Sequence, residues 1–202
     1  MVAIWVGVIG FLIFVAGVAY FGSWLRRHPS TEDRERSTRL VHLLFVLCWG
    51  IPALVAVIEP GLTHFDEVLG WPRLPLNDLF LVLGILLALP GLYLGVLTNK
   101  LLWELGSGNA AFRFTKSIVV QDIYSRTRNP MSLGYYMVVL GIAFILGSTF
   151  LTIAALLAVI PAHVFFLKYF EEQELALRFG APYLAYKKRV PFLFPRLGKV
   201  TS

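Results

Sequence analysis

The chain reads as all-α, a polytopic membrane bundle of about five transmembrane helices, and three observations carry that reading. Hydrophobic side chains make up 57% of the 202 residues and charged ones only 15%. With a mean hydropathy of +0.73, this is more apolar surface than a soluble domain of such size can hide. The charges are also segregated from long uncharged runs, each sufficient to cross a hydrocarbon core of about 30 Å. Finally, the runs lack the two-residue alternation of a membrane barrel, and lipid offers no partner to open backbone amides, so helices are the remaining solution.

Taken in order, residues 2–25 contain no charge. They lack a cationic n-region and exceed the length of a secretory h-region, so they are read as a retained first span. The second span, 40–58, is interrupted only by His42, and the third, 79–99, is uncharged. The last apolar stretch, 131–167, is uncharged over 37 residues; as one helix it would reach roughly 55 Å, so it must fold back. Gly147, Ser148 and Thr149 supply the break, predicting a helical hairpin with limbs 131–146 and 150–167.

Cations fall almost entirely to one side of this arrangement. Segments 26–39, 100–130 and 168–202 hold seventeen of the eighteen, whereas 59–78 holds Arg73 alone beside four acids. The positive-inside rule then places the N-terminus outside and the C-terminus in the cytoplasm. The net charge of +6 follows from topology and anionic membrane lipid, with no call for a nucleic-acid partner.

Several chemistries find no support. The single cysteine, Cys48, allows no disulfide within the chain, and no Cys and His cluster has metal-ligand spacing. His28, His42, His64 and His163 are scattered and read as structural: the first and third solvated, the others hydrogen-bonded in the bundle. There is no nucleophile elbow, internal repeat or low-complexity tract.

The unusual polar residues gather in the second half, so the chain divides into three helices with their loops at 1–100 and a functional half at 101–202. Gly106 and Gly108 flank Ser107 just beyond the third span; glycines there serve either as a helix C-cap or as a close approach to a ligand. The short run SIVV at 117–120 is suited to lining an apolar slot. In YSRTRNPMSLGYY, 124–136, Pro130 fits the first helical turn and Asn129 an N-cap. Arg126 suits a lipid headgroup. Arg128 stands at a helix N-terminus that already carries partial positive charge, favourable only where an anion is expected.

The tail holds the counterpart. Adjacent acids Glu171 and Glu172 at an anionic interface point to a cationic or hydroxyl-bearing ligand, although helical spacing also allows Glu171 to pair with Lys168, as it does Glu174 with Arg178. Gly180 should stop the helix and Pro182 restart it. Tyr183 and Tyr186 then read as packing residues, and Lys187, Lys188 and Arg189 as membrane attraction.

The order of these elements resembles the integral-membrane methyltransferases that include isoprenylcysteine carboxyl methyltransferase and phosphatidylethanolamine N-methyltransferase. GSG, SIVV, a tyrosine, RNP entering a helical hairpin, and EE followed by FG, two tyrosines and KKRVP carry the likeness over roughly residues 101–195. The resemblance implies S-adenosylmethionine as cofactor, bound by Gly106, Gly108, Lys116, Ile118, Val119, Tyr124, Arg128, Asn129, Pro130, Glu171 and Glu172. It places Arg128, Asn129 and Glu172 at the chemistry, with cytoplasmic C-terminal helices capping the pocket and no metal. The acceptor would be lipophilic: an isoprenylcysteine-like carboxylate, a phospholipid amine or another small lipophile. A different class of function, a non-catalytic membrane protein binding anionic lipid or a protein partner through Arg126, Arg128 and the basic tail, leaves Glu171 and Glu172 without purpose. The chain departs from the family's common pattern at Asp122, where glycine precedes the tyrosine, at Ser132, where a second tyrosine is frequent, and at Phe192.

Overall fold

Met1 is followed by a helix that runs unbroken to two arginines, α1 (Val2–Arg27), whose basic last turn complements the negative end of the helix dipole. The structure, a computed structural model, describes residues 1–58, 61–105 and 117–196. Gly106, Gly108 and Lys116, three of the residues expected at the cofactor, lie outside the described residues.

The second helix, α2 (Thr31–Ile58), begins well before the apolar run that announces it. Ser30 caps it by accepting from the Asp33 N–H at 3.1 Å and donating to the Asp33 carboxylate at 2.6 Å. This Ser-x-x-Asp cap, the sequence signature of a capping box, makes two polar turns helical that hydropathy alone leaves as a connecting segment. Around residues 46–50 the helix widens into a π turn. Pro52 has no N–H to give the Cys48 carbonyl, and that oxygen lies where a side chain on Gly10 of α1 would begin, 2.6 Å from the position of a Cβ.

A short helix, α3 (Phe65–Leu69), precedes α4 (Asn77–Leu105). The hairpin limb α5 (Pro130–Ile145) packs antiparallel on α4. Small residues set the distance: a Cβ on Gly84 or Gly91 would lie 2.7 Å from the carbonyl oxygen of Gly141 or Gly134, and the reverse holds from α5. Helices can touch backbone to backbone in lipid only where such residues face each other.

The hairpin turns as expected. Gly147 takes φ +61°, a left-handed conformation glycine adopts without cost, and the Ser148 hydroxyl accepts from the Leu151 N–H at 3.2 Å. The buried Asp66 carboxylate, reaching from α3, accepts from the Phe150 N–H at 2.8 Å. The second limb, α6 (Thr149–Phe179), is longer than its apolar part and continues past Leu167 through the glutamates. Its π turn at Leu167–Glu171 adds a residue to one turn, which swings the following side chains by about 100° relative to an unbroken helix. Gly180, with φ +60°, ends α6, and α7 (Ala181–Arg189) starts over Pro182.

Among the described residues, four helices are long and apolar enough to cross a membrane, and Pro130–Ile145 is a shorter apolar one. No strand occurs among the described residues. Phe14, Val18, Leu25, Val41, Phe166 and Phe170 form the core where α1, α2 and α6 meet, while Leu86, Leu89, Tyr93 and Val96 of α4 stand exposed, as lipid-facing residues do. The ends that carry the cations meet in space: Arg26 donates to Gln173 at 3.1 Å, Arg34 lies 3.6 Å from Glu174, and Arg128 lies 2.7 Å from Glu172.

Candidate active site

At that cation-rich end a cavity of about 420 Å³ opens between α2, the start of α5, the end of α6 and α7. This volume falls within the range of about 300–1,000 Å³ typical of small-molecule sites. Ile118, Val119, Tyr124, Arg128, Asn129, Pro130 and Glu171 all line it. Residues that sequence spacing scatters over more than fifty positions are therefore brought to one wall.

Arg128 is held from behind. Its Nη1 lies 2.7 Å from Glu172 Oε1, each side chain being 10% exposed, and the other Glu172 oxygen lies 2.7 Å from Lys187 Nζ. The Arg128 contact is an ion pair without an aligned hydrogen bond, so Nε and Nη1 have no hydrogen-bond partner among the described residues. A guanidinium in a cavity wall with donors to spare suits a planar anion. Glu172, by contrast, is not in the lining; both of its oxygens face cations of the protein.

Two carboxylates line the cavity, Glu174, which is held by Arg34 and Arg178, and Glu171. Glu171 lies beyond the uncharged run that ends at Leu167, and it makes no hydrogen bond or ion pair with another described residue. The expected pairing with Lys168 does not form: that ammonium lies over the Phe192 ring, 4.8 Å from its centroid. Burial, then the negative charge of Glu174, push the Glu171 carboxyl up to about 7, with Arg178 opposing. Burial likewise holds the Tyr124, Tyr183 and Tyr186 phenols well above their ordinary range, so they meet a ligand as neutral hydrogen-bonding groups. Glu174 is held as its spacing predicts, accepting from Arg178 Nε at 2.8 Å.

Asn129 occupies the position before α5, but its side chain does not cap the helix. The amide donates instead to the Phe192 carbonyl at 2.8 Å. Its backbone has φ −125° and ψ 55°, and the tail carbonyl competes successfully for the side chain. Asp122 has φ +50°, the left-handed region where glycine is at ease, which accounts physically for the glycine common at that place. Ser132 lines the cavity.

Sequence reasoning overlooked one wall. Thr38, Arg39, His42, Leu43 and Val46 of α2 line the cavity, although that helix reads as a plain membrane span. A capping box extending α2 toward the polar side was the available signal. Tyr183 and Tyr186, read as packing residues, line it too, and the Tyr186 hydroxyl donates to the Tyr124 carbonyl at 2.8 Å. Deeper in the bundle, Tyr136 and His163 are hydrogen-bonded at 2.8 Å.

Comparison with known proteins adds one finding. No curated protein and no solved structure matches the chain. A family model described as phospholipid methyltransferase matches residues 79–181, just over half of the 202 residues. That span contains α5, α6, all but the first two residues of α4, and the lining residues Ile118, Val119, Tyr124, Arg128, Asn129, Pro130 and Glu171, and it excludes α2 and nearly all of α7. An integral-membrane helical bundle with this match belongs to the phospholipid methyltransferase family.

Proposed function

We propose that the protein transfers a methyl group from S-adenosylmethionine to a lipophilic acceptor, in the cavity at the cytoplasmic face of the membrane. The observation that carries this reading is the convergence of an anion-binding group, Arg128, an unpaired carboxylate, Glu171, and the apolar Ile118 and Val119 on one cavity within a chain of this family. The residues fit the cofactor's chemistry. Arg128 suits its carboxylate, Glu171 its ammonium or ribose hydroxyls, and the Ile118 and Val119 wall its purine. Bound there, the cofactor supplies a methyl group on a sulfonium, open to displacement by a nucleophile.

The protein's own contribution is alignment and exclusion of water, since displacement depends chiefly on geometry. Glu172 and Lys187 fix Arg128, and the neutral tyrosines line the same cavity. An acceptor already ionised, such as a carboxylate or thiolate, needs no general base, and a phospholipid amine would have to arrive unprotonated. The acceptor's apolar part is drawn along Leu43, Val46, Met131 and Phe166, which lead from the bilayer. The cytoplasmic assignment rests on the charge distribution along the sequence, where segments 26–39, 100–130 and 168–202 hold seventeen of the eighteen cations.

Calorimetric titration of the detergent-solubilised protein with S-adenosylhomocysteine tests the reading. Binding should weaken roughly 10- to 150-fold on Arg128→Ala, the worth of a hydrogen bond to a charged group. Absence of binding by folded wild-type protein would refute the cofactor assignment. Methyl transfer confined to water-soluble acceptors would refute the lipophilic one.

A further inference from the structure

After α7 the chain turns back over the site. Residues 191–196 lie along 126–129, joined by hydrogen bonds at every position of that stretch. The Arg128 N–H donates to the Pro191 carbonyl at 2.9 Å, and the Arg196 N–H to the Arg126 carbonyl at 3.0 Å. The Thr127 hydroxyl donates to the Leu193 carbonyl at 2.7 Å, and the Asn129 amide to the Phe192 carbonyl at 2.8 Å. Thr127 is fully buried, and its oxygen also accepts from the Asn129 N–H at 3.4 Å. The Phe192 ring faces the Arg128 guanidinium, 5.8 Å from its centroid.

Two side-chain ties therefore flank Arg128, and its own backbone N–H makes a third. While the tail is in place the Thr127 hydroxyl and the Arg128 backbone N–H are engaged, and Asn129, which also lines the cavity, has one amide hydrogen committed to the tail. A long arginine side chain binds well only when its geometry is fixed beforehand, and the tail supplies that fixing from the backbone side as Glu172 does from the guanidinium side.

We infer that Thr127 and Asn129 are positioning residues, which hold the 191–196 tail across the arginine stretch and so fix Arg128 in the cavity wall. They act on the cofactor through Arg128, and the tail is part of the site although it lies beyond the family match. The inference rests on the proposed function, because the group being positioned is the one assigned to the cofactor's carboxylate.

The test uses the full chain in detergent, with S-adenosylhomocysteine affinity by calorimetry and hydrogen exchange at the Arg128 and Arg196 amides. Thr127→Val keeps the shape and removes the hydroxyl. Affinity should fall roughly tenfold, the effect of one buried hydrogen bond, while both amides exchange faster and thermal unfolding of the bundle shifts by only a few degrees. Thr127→Ser, which retains the hydroxyl, should restore affinity and protection together. Should Thr127→Val fail to accumulate, Asn129→Asp, which sets a carboxylate against the Phe192 carbonyl, makes the same test at the second tie. A loosened tail with unchanged affinity overturns the inference, as does lost affinity with both amides still protected. Wild-type protein that binds no S-adenosylhomocysteine refutes the proposed function and the inference with it, whereas wild-type binding matched by Thr127→Val refutes the inference alone.

Discussion

Replacing Glu172 by alanine exposes what the buried ion cluster contributes. Glu172 lies 2.7 Å from Arg128, with each side chain only 10% exposed, and 2.7 Å from Lys187, which is 40% exposed. Removing one partner of a buried pair leaves the other charge desolvated, a loss of about 3–5 kcal/mol. The Lys187 contact is open to solvent screening and adds under about 1 kcal/mol. For a chain of this length that predicts a fall in unfolding temperature of roughly 6–20 °C, read by thermal unfolding in detergent. Affinity for S-adenosylhomocysteine should fall as well, because Arg128 loses its anchor. The double variant Arg128→Met with Glu172→Leu separates the two effects. It removes both charges, so it should recover most of the stability and none of the binding. A Glu172→Ala protein that melts within about 2 °C of wild type, less than about 1 kcal/mol, would refute the account of Glu172 as the support of Arg128.

Two further outcomes follow from the same geometry. The Glu171 carboxyl, raised to about 7, is protonated below that pH and meets a cationic ligand only when ionised. Affinity for S-adenosylhomocysteine should therefore rise roughly tenfold from pH 6 to pH 8, and Glu171→Gln should flatten the profile; an unchanged slope in that variant would place the titration elsewhere. In the membrane, Gly141→Ala sets a methyl group 2.7 Å from the Gly84 carbonyl oxygen and 2.8 Å from the Ala88 nitrogen. Since helix backbones cannot yield as a side-chain tip does, unfolding should ease by about 1–3 kcal/mol, with wild-type stability in that variant counting against the close packing of α4 on α5.

Much of this was legible because it depends on neighbours in sequence. An uncharged run too long for one crossing must fold back, and Gly147 with Ser148 marks the place; Gly180 followed by Pro182 marks another. Glu174 meets Arg178 because four positions bring side chains together on any helix. Where a residue's partner lies far along the chain, local rules named the wrong one. Asn129 has the chemistry of a cap, yet the Phe192 carbonyl, 63 positions away, takes its amide. Lys168 is one turn from the glutamates but lies over an aromatic ring from the tail.

Hydropathy and charge placement by themselves determined a helical membrane bundle with its polar groups at one end, because desolvation acts on each residue wherever the chain goes. Motif order further pointed to the family. Which groups the cavity receives was decided only by tertiary structure. Glu171 and Glu172 are adjacent and chemically identical, and the sequence treats them as one element. The π turn at Leu167–Glu171 and the cations Arg128 and Lys187 separate them: Glu172 is turned toward those two cations, while Glu171 faces the cavity and makes no ion pair with a described residue. The same packing brought α2 into the wall, since a helix that looks uniform along its length acquires a functional face only from what it packs against.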